Sequence, residues 1–308
     1  MSVESPSLEA APASAKPAWL AALLAIRPKT LTASLTPVAM AAALLSAQGV
    51  KVSPWLILLA GLSALLIQIG TNLANDALDF RKGADTAARL GPTRVTQAGW
   101  LRDSQVLLLA HLAFALAVLA GIPLIIEGGW VIALIGAASI ACGYWYTAGP
   151  YPIAYVGLGD LFVLLFFGLF AVGGVTYLHT GGIDGQALLA GLQVGALSAV
   201  LLAVNNLRDV EEDRRAGKRT LPVRLGIGFG RLEVMALVTL TFGLQLLWWN
   251  SYQSTAMLLP FAALPIAVHL VGEVYRHEPS AYYNRLLAEA ALLHLWFGVT
   301  LAVALLLQ

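Results

Sequence analysis

The chain of 308 residues is 59% hydrophobic and 11% charged, with a mean hydropathy of +0.78. Soluble domains are about 25% charged, so a single core surrounded by water is excluded. The net charge is +1 and the basic residues sit between apolar runs, which leaves no continuous basic face and excludes nucleic acid as a partner; the lone cysteine, Cys142, excludes an intrachain disulfide and a cysteine-based metal site.

The first stretch, Met1 to Pro17, is rich in Ala, Ser and Pro and carries Glu4 and Glu9 where a signal peptide would be basic. Residues 1–26 are expected to form a disordered tail, with a transmembrane domain over 27–308. Apolar segments follow near 33–48, 54–75, 105–126, 130–147, 156–178, 187–206, 232–250, 254–272 and 287–307. Runs of about 20 apolar residues match the hydrocarbon core of a bilayer, so the expected fold is all-α, a polytopic membrane protein with nine transmembrane helices. With nine spans and a cytoplasmic N-terminus, every Lys and Arg except Lys51 falls on the inner side, as the positive-inside rule requires.

Two long inner loops, near 76–104 and 207–231, follow the second and sixth spans and hold most of the acidic residues. At the end of the second span Asn72, Asn75, Asp76 and Asp79 are spaced i, i+3, i+4, i+7 and share one helical face. At the end of the sixth, Asn205, Asp209 and Asp213 form a second stripe. A carboxylate costs about 2.5–3.5 kcal/mol at the centre of a membrane helix and less towards its end, and a bound cation would offset this. Carboxylate and amide oxygens without soft ligands suit Mg²⁺, which binds through a few carboxylates plus substrate phosphates. Lys82, Arg94, Arg208, Lys218 and Arg219 stand nearby to hold the remaining phosphate oxygens. Glu211, Glu212, Arg214 and Arg215 read as solvated loop charges.

The motifs Asn75-Asp76-x-x-Asp79 and Asp209-x-x-x-Asp213, each following an apolar span, resemble those of the UbiA-type intramembrane aromatic prenyltransferases. Arg27-Pro28-Lys29-Thr30, Gly91-Pro92-x-Arg94-x-x-Gln97-x-Gly99, Tyr146-Thr147-x-Gly149-Pro150 and Asn205-Asn206-Leu207-Arg208-Asp209 through Leu221 narrow the resemblance to the 1,4-dihydroxy-2-naphthoate polyprenyltransferases of menaquinone synthesis. That likeness runs from about residue 27 to the C-terminus and makes 27–308 a prenyltransferase domain. It implies Mg²⁺ held by Asp76, Asp79, Asp209 and Asp213, with a diphosphate between the two motifs and a lateral opening for the lipid tail. The broad family often has a third acid where this chain has Gly83; Asp85 is the expected substitute as a metal ligand. Asn72, Asn75, Asn205 and the basic residues above are then substrate-binding.

Asp160 in the fifth span follows the Tyr146–Pro152 turn, which the resemblance sets near the acceptor pocket, so Tyr146 and Asp160 are expected to contact the acceptor. Tyr144, Tyr146, Tyr151 and Tyr155 read equally as pocket or interfacial residues. Phe162, Phe166, Phe167 and Phe170 are expected to face lipid or pack, and Glu289 and His294 to be a packing or interface pair. The expected activity is Mg²⁺-dependent transfer of a polyprenyl group from its diphosphate to 1,4-dihydroxy-2-naphthoate, releasing carbon dioxide and diphosphate, at the cytoplasmic face of the membrane. The alternatives are a related enzyme acting on 4-hydroxybenzoate or homogentisate, and a cation or lipid transporter, which would need polar groups along a path to both sides.

Overall fold

The computed structural model describes residues 17–86 and 89–308. Of the expected tail, residues 1–16 lie outside the described residues, whereas Ala18–Ile26 is a helix, α1, rather than disordered chain. There follow α2 (Thr32–Ala47), α3 (Pro54–Arg81), α4 (Asp103–Trp145), α5 (Gly159–Thr180), α6 (Gly185–Arg208), α7 (Val210–Arg215), α8 (Leu221–Leu225), α9 (Ile227–Tyr252), α10 (Thr255–Arg276) and α11 (Tyr283–Leu306). No strand occurs among the described residues.

All nine apolar segments are helical. Seven helices, α3, α4, α5, α6, α9, α10 and α11, are long and apolar enough to cross a membrane. The other two segments explain the difference from nine. α2 has 16 residues, about 24 Å at 1.5 Å per residue, short of the roughly 30 Å hydrocarbon core. α4 has 43 residues and is broken at Gly129, whose φ of 64° and ψ of −153° are not helical. The chain folds back there: a Cβ at Gly143 would lie 3.7 Å from the Phe114 ring, so residues on either side of the break stand at one level. Gly129 supplies the positive φ that side chains resist.

α6 is the most enclosed span and packs against α2, α5, α9 and α11. One apolar core fills that half, from Leu44 on α2 and Val200 on α6 to Phe297 on α11. A smaller core of Ala21, Leu73, Ala74, Val95 and Val106 ties α1 and the start of α4 to α3. Trp55, Trp130, Trp145 and Trp249 are exposed at helix ends, the interfacial position tryptophan favours.

Candidate active site

A cavity of about 980 Å³ is lined by residues of α2, α3, α4, α5, α6 and α11. Ala60 and Asp79 of α3 both line it, and their separation along the helix gives a depth of about 28 Å. Its charged end is built on the last turns of α3, on α6 and α7, and on loops that fold back over them.

The stripe on α3 survives because the helix continues to Arg81, past the expected end of its apolar run. Asn72, Asn75, Asp76 and Asp79 are all buried. Asp76 accepts hydrogen bonds from the backbone N–H groups of Val95 and Thr96, each at 3.3 Å, and from the Thr96 hydroxyl. Asn75 accepts from Arg94 Nη2 at 2.6 Å and Arg27 Nη2 at 3.1 Å, and donates to Thr147 Oγ1 at 2.9 Å. Asn72 Nδ2 donates to the Ile26 carbonyl at 2.9 Å. Asp79 joins three distant segments, accepting from Tyr155 Oη at 2.9 Å and Lys218 Nζ at 2.8 Å, with Arg94 Nη2 at 3.9 Å.

The second stripe crosses a helix junction without losing register. Asp209 N–H donates to Asn205 O at 3.1 Å, and Asp213 N–H to Asp209 O at 2.8 Å. Arg208, 1% exposed, grips Asp209 through Nε and Nη2, both at 2.7 Å, and also donates to Asn205 Oδ1 and Asn284 Oδ1. Asp213 is buried on the cavity wall. Burial pushes its carboxyl up to about 7 against the pull of Lys218, with Asp209 and Asp79 adding to the rise. Burial opposes the charge of Lys218, but Asp79 and Asp213 outweigh it and raise the ammonium's pKa.

Asn72, Asn75, Asp76, Asp79, Arg94, Tyr146, Asp160, Asn205, Arg208, Asp209, Asp213 and Lys218 are thus brought to one cavity. Three expected site residues stand off its wall. Asp85 is locked behind it, accepting from Arg89 Nη1 at 2.7 Å with Arg94 Nε at 3.5 Å, and burial lifts its carboxyl to about 6 although Arg89 pulls it down. Lys82 donates to the Thr147 carbonyl at 2.5 Å and lies 4.5 Å over the Tyr155 ring. Arg219 is exposed and enters the framework only through its backbone N–H, 3.0 Å from the Tyr155 carbonyl.

Sequence reading missed Arg27, Arg89, Thr96 and Thr147 as site residues, and of the two readings of Tyr155 the hydrogen bond to Asp79 favours the pocket. Arg27 carries a signal only the backbone reveals: it has a left-handed φ of 57°, which costs a non-glycine residue roughly 1–2 kcal/mol, and it lines the cavity. Phe162, Phe166, Phe167 and Phe170 face this cavity too, rather than lipid alone. Tyr151 is 82% exposed, and the Tyr144 ring lies 5.8 Å from that of His111, tilted by 31°. Glu289 and His294 do not meet: Glu289 pairs with Arg285 and His269 at 3.1 Å, and His294 Nε2 lies 3.2 Å from Ser198 Oγ.

Among the described residues no three His, Cys, Asp or Glu converge into a ready metal cage. Mg²⁺ needs none, because it keeps waters and takes one or two carboxylates plus phosphate oxygens. The donor set fits it: all hard oxygens, with a buried Asp213 whose charge is undercompensated. The same end offers an anion a donor, since the buried Arg94 Nη1 has no hydrogen-bond partner among the described residues. The charges gather at one end of the cavity, and apolar side chains such as Leu124, Ile132 and Leu178 line the other.

The comparisons with known proteins agree with this geometry. The chain is 34% identical over 299 residues to the 1,4-dihydroxy-2-naphthoate octaprenyltransferase of Haemophilus influenzae, covering 91% of this chain and 94% of that one. It is 32% identical over 287 residues to the protein of the same description from Bacillus subtilis, covering 92% and 91%. Among solved structures, the fold matches a UbiA homolog from Aeropyrum pernix K1 with a TM-score of 0.67 at 16% identity, over 90% of this chain and 97% of that one. A UbiA homolog from Archaeoglobus fulgidus, bound to DMAPP and Mg²⁺, matches with a TM-score of 0.62 at 15% identity over 92% and 99%. The model of the UbiA prenyltransferase family matches residues 34–297, and the chain belongs to that family.

Proposed function

We propose that the protein transfers a polyprenyl group from polyprenyl diphosphate to 1,4-dihydroxy-2-naphthoate, releasing diphosphate and carbon dioxide and giving demethylmenaquinol for menaquinone synthesis. The observation that carries the reading is one cavity about 28 Å deep, with carboxylates and cations at one end and mostly apolar wall along the rest. That shape fits an amphipathic donor with a charged head and a hydrocarbon tail. The naphthoate acceptor follows from the relatives.

Arg94 and Lys218 take diphosphate oxygens, Arg94 through its unpartnered Nη1. Arg208 spends four of its five N–H groups on Asp209, Asn205 and Asn284 and chiefly orients the second motif. Asp85 acts likewise through Arg89 and Arg94. Asp76, Asp79, Asp209 and Asp213 would hold Mg²⁺, which when bound neutralises the charge that develops on the leaving diphosphate. Tyr146 and the Phe162–Phe170 face present π surfaces to a developing allylic cation. The enclosing spans exclude water, which would otherwise capture it. The naphthoate ring attacks through the carbon that bears its carboxylate, and aromaticity returns when carbon dioxide leaves.

We place this site near the cytoplasmic face of a cytoplasmic membrane, in a nine-span protein whose N-terminus lies on the same side. The deciding experiment uses purified protein, polyprenyl diphosphate, Mg²⁺ and carboxyl-labelled naphthoate. Label should leave as gas in step with diphosphate release, and chelation should stop turnover. Asp76→Asn or Asp209→Asn should lower it at least 100-fold. Label retained in the lipid product, or turnover of 4-hydroxybenzoate alone, would overturn the naphthoate assignment; near-normal rates in both variants would overturn the metal assignment.

A further inference from the structure

One carboxylate in the cavity belongs to neither acidic motif. Asp160, in the first turn of α5, is 8% exposed and lies on the cavity wall. Its Oδ1 has no hydrogen-bond partner among the described residues, and the donor facing the carboxylate is its own backbone N–H. Of the four motif carboxylates, three are held by hydrogen bonds and Asp213 is partly compensated by a counter-charge. Asp76 is held by Thr96, Asp79 by Tyr155 and Lys218, and Asp209 by Arg208, while Asp213 has Lys218 as its main counter-charge. A buried carboxylate oxygen left without a donor is costly, and such groups mark places where a ligand completes the structure.

The neighbours of Asp160 narrow what that ligand is. Tyr146 stands beside it: a Cβ at Gly159 would lie 3.3 Å from the Tyr146 hydroxyl, so the missing side chain makes room for the phenol. Tyr146 lines the same cavity as Asp160 and the carboxylates of the two acidic motifs. A flat aromatic acid stacked on Tyr146 would lie in the cavity that Asp160 lines. Glu233 of α9 lies within electrostatic reach of Asp160 and also has a buried, unpartnered oxygen, but it is not on the cavity wall.

We propose that Asp160 is the general base of the transfer, taking the proton of the acceptor hydroxyl adjacent to the attacked carbon and later returning it. The inference rests on the naphthoate reading above. As the hydroxyl gives its proton to Asp160, its oxygen becomes a ketone, and the neighbouring ring carbon bonds to the allylic carbon of the donor. The allylic C–O bond breaks with its electron pair leaving on diphosphate. The adduct is a β-keto acid. Its bond to the carboxylate carbon then breaks to release carbon dioxide, the electron pair passes to the ketone oxygen, and that oxygen recovers the proton from Asp160. No oxidant or reductant is consumed, and the carboxylate ends the cycle as it began. A positioned base of this kind contributes about 10²–10⁴-fold.

The test uses the full chain in lipid nanodiscs with Mg²⁺. Asp160→Asn should lower kcat at least 100-fold while leaving KM for the polyprenyl diphosphate within about threefold and Mg²⁺-dependent binding of inorganic diphosphate intact. Asp160→Glu, which keeps the basic group, should recover part of the rate. The wild type supplies an arm that does not depend on a variant folding: the 1-O-methyl ether of the naphthoate has no proton to give and should react at least 100-fold more slowly than the parent. Asp160→Asn turning over within threefold of wild type, a loss confined to the acceptor's KM, or rapid prenylation of the ether would each overturn the proposal. A wild type inactive on naphthoate removes the underlying reading, and this proposal with it. A wild type active on naphthoate with a fully active Asp160→Asn removes the proposal alone.

Discussion

At Asp213 the charged form is the expensive one. Burial raises its carboxyl to about 7 in the folded protein, against about 3.9 in an unfolded chain. Between those values the native state binds more protons than the unfolded state, so stability falls as pH rises through that window. Asp85, at about 6 through burial, adds in the same direction. Metal-free protein should therefore melt at a lower temperature at pH 8 than at pH 5.5, with Asp213→Asn reducing the difference and Mg²⁺ restoring stability at pH 8. A melting temperature that is flat or rises with pH would contradict the burial argument. The acids themselves were readable because an i, i+4 spacing is enough to put residues on one helical face. Arg27 and Thr96 were not, since each reaches α3 from a segment 20 or more residues away in the chain and no local pattern encodes such a return. The facing of Phe162 to Phe170 was equally hidden, because an apolar periodicity is the same towards lipid and towards an apolar cavity.

Among the elements, the closest approach joins α5 to α6. A Cβ at Gly195 would sit 2.5 Å from the Leu164 carbonyl oxygen and 3.0 Å from Gly168 Cα. Both obstacles are backbone, so they cannot turn aside as a side chain would. Small residues let membrane helices pack this closely, and the π-helical run Leu165–Leu169 lies at the contact. Gly195→Ala should cost about 1–3 kcal/mol by forcing the helices apart, read as a lower melting temperature in detergent. Gly136→Ala, where nothing lies within 4 Å of the new Cβ, should leave the melting temperature unchanged; equal losses in both would mean that the contact is not tight. The long helices were legible from apolar run length, whereas the nine-residue α1 fell in the expected tail. The turn at Gly129 was legible as a gap between two runs, but the apolar run ending near residue 75 did not show that the helix continues six residues further, through Asp76 and Asp79, to Arg81.

For the whole molecule, the nine-span reading turns on the fold-back of α4 and on the short α2. Both change which loops share a side, so topology is the direct check. In a chain with Cys142 replaced, single cysteines at Leu90 and at Gly217 should be labelled from one side of sealed vesicles, and cysteines at Lys51 and after Gln308 from the other. Finding Leu90 and Gly217 on opposite sides would separate the two acidic motifs and dismantle the site. The segregation of charge within the cavity also makes the reaction vectorial. A diphosphate turned towards Leu124 and Leu178 would lose its cations and sit in hydrocarbon. At about 2.5–3.5 kcal/mol per charge, by analogy with charged side chains at a helix centre, reversing a dianion forfeits roughly 5 kcal/mol or more. That is a preference of several thousandfold for one orientation, at about 1.4 kcal/mol per factor of ten. Polarity thus favours one direction of threading for a prenyl diphosphate, and the apolar wall need not choose it.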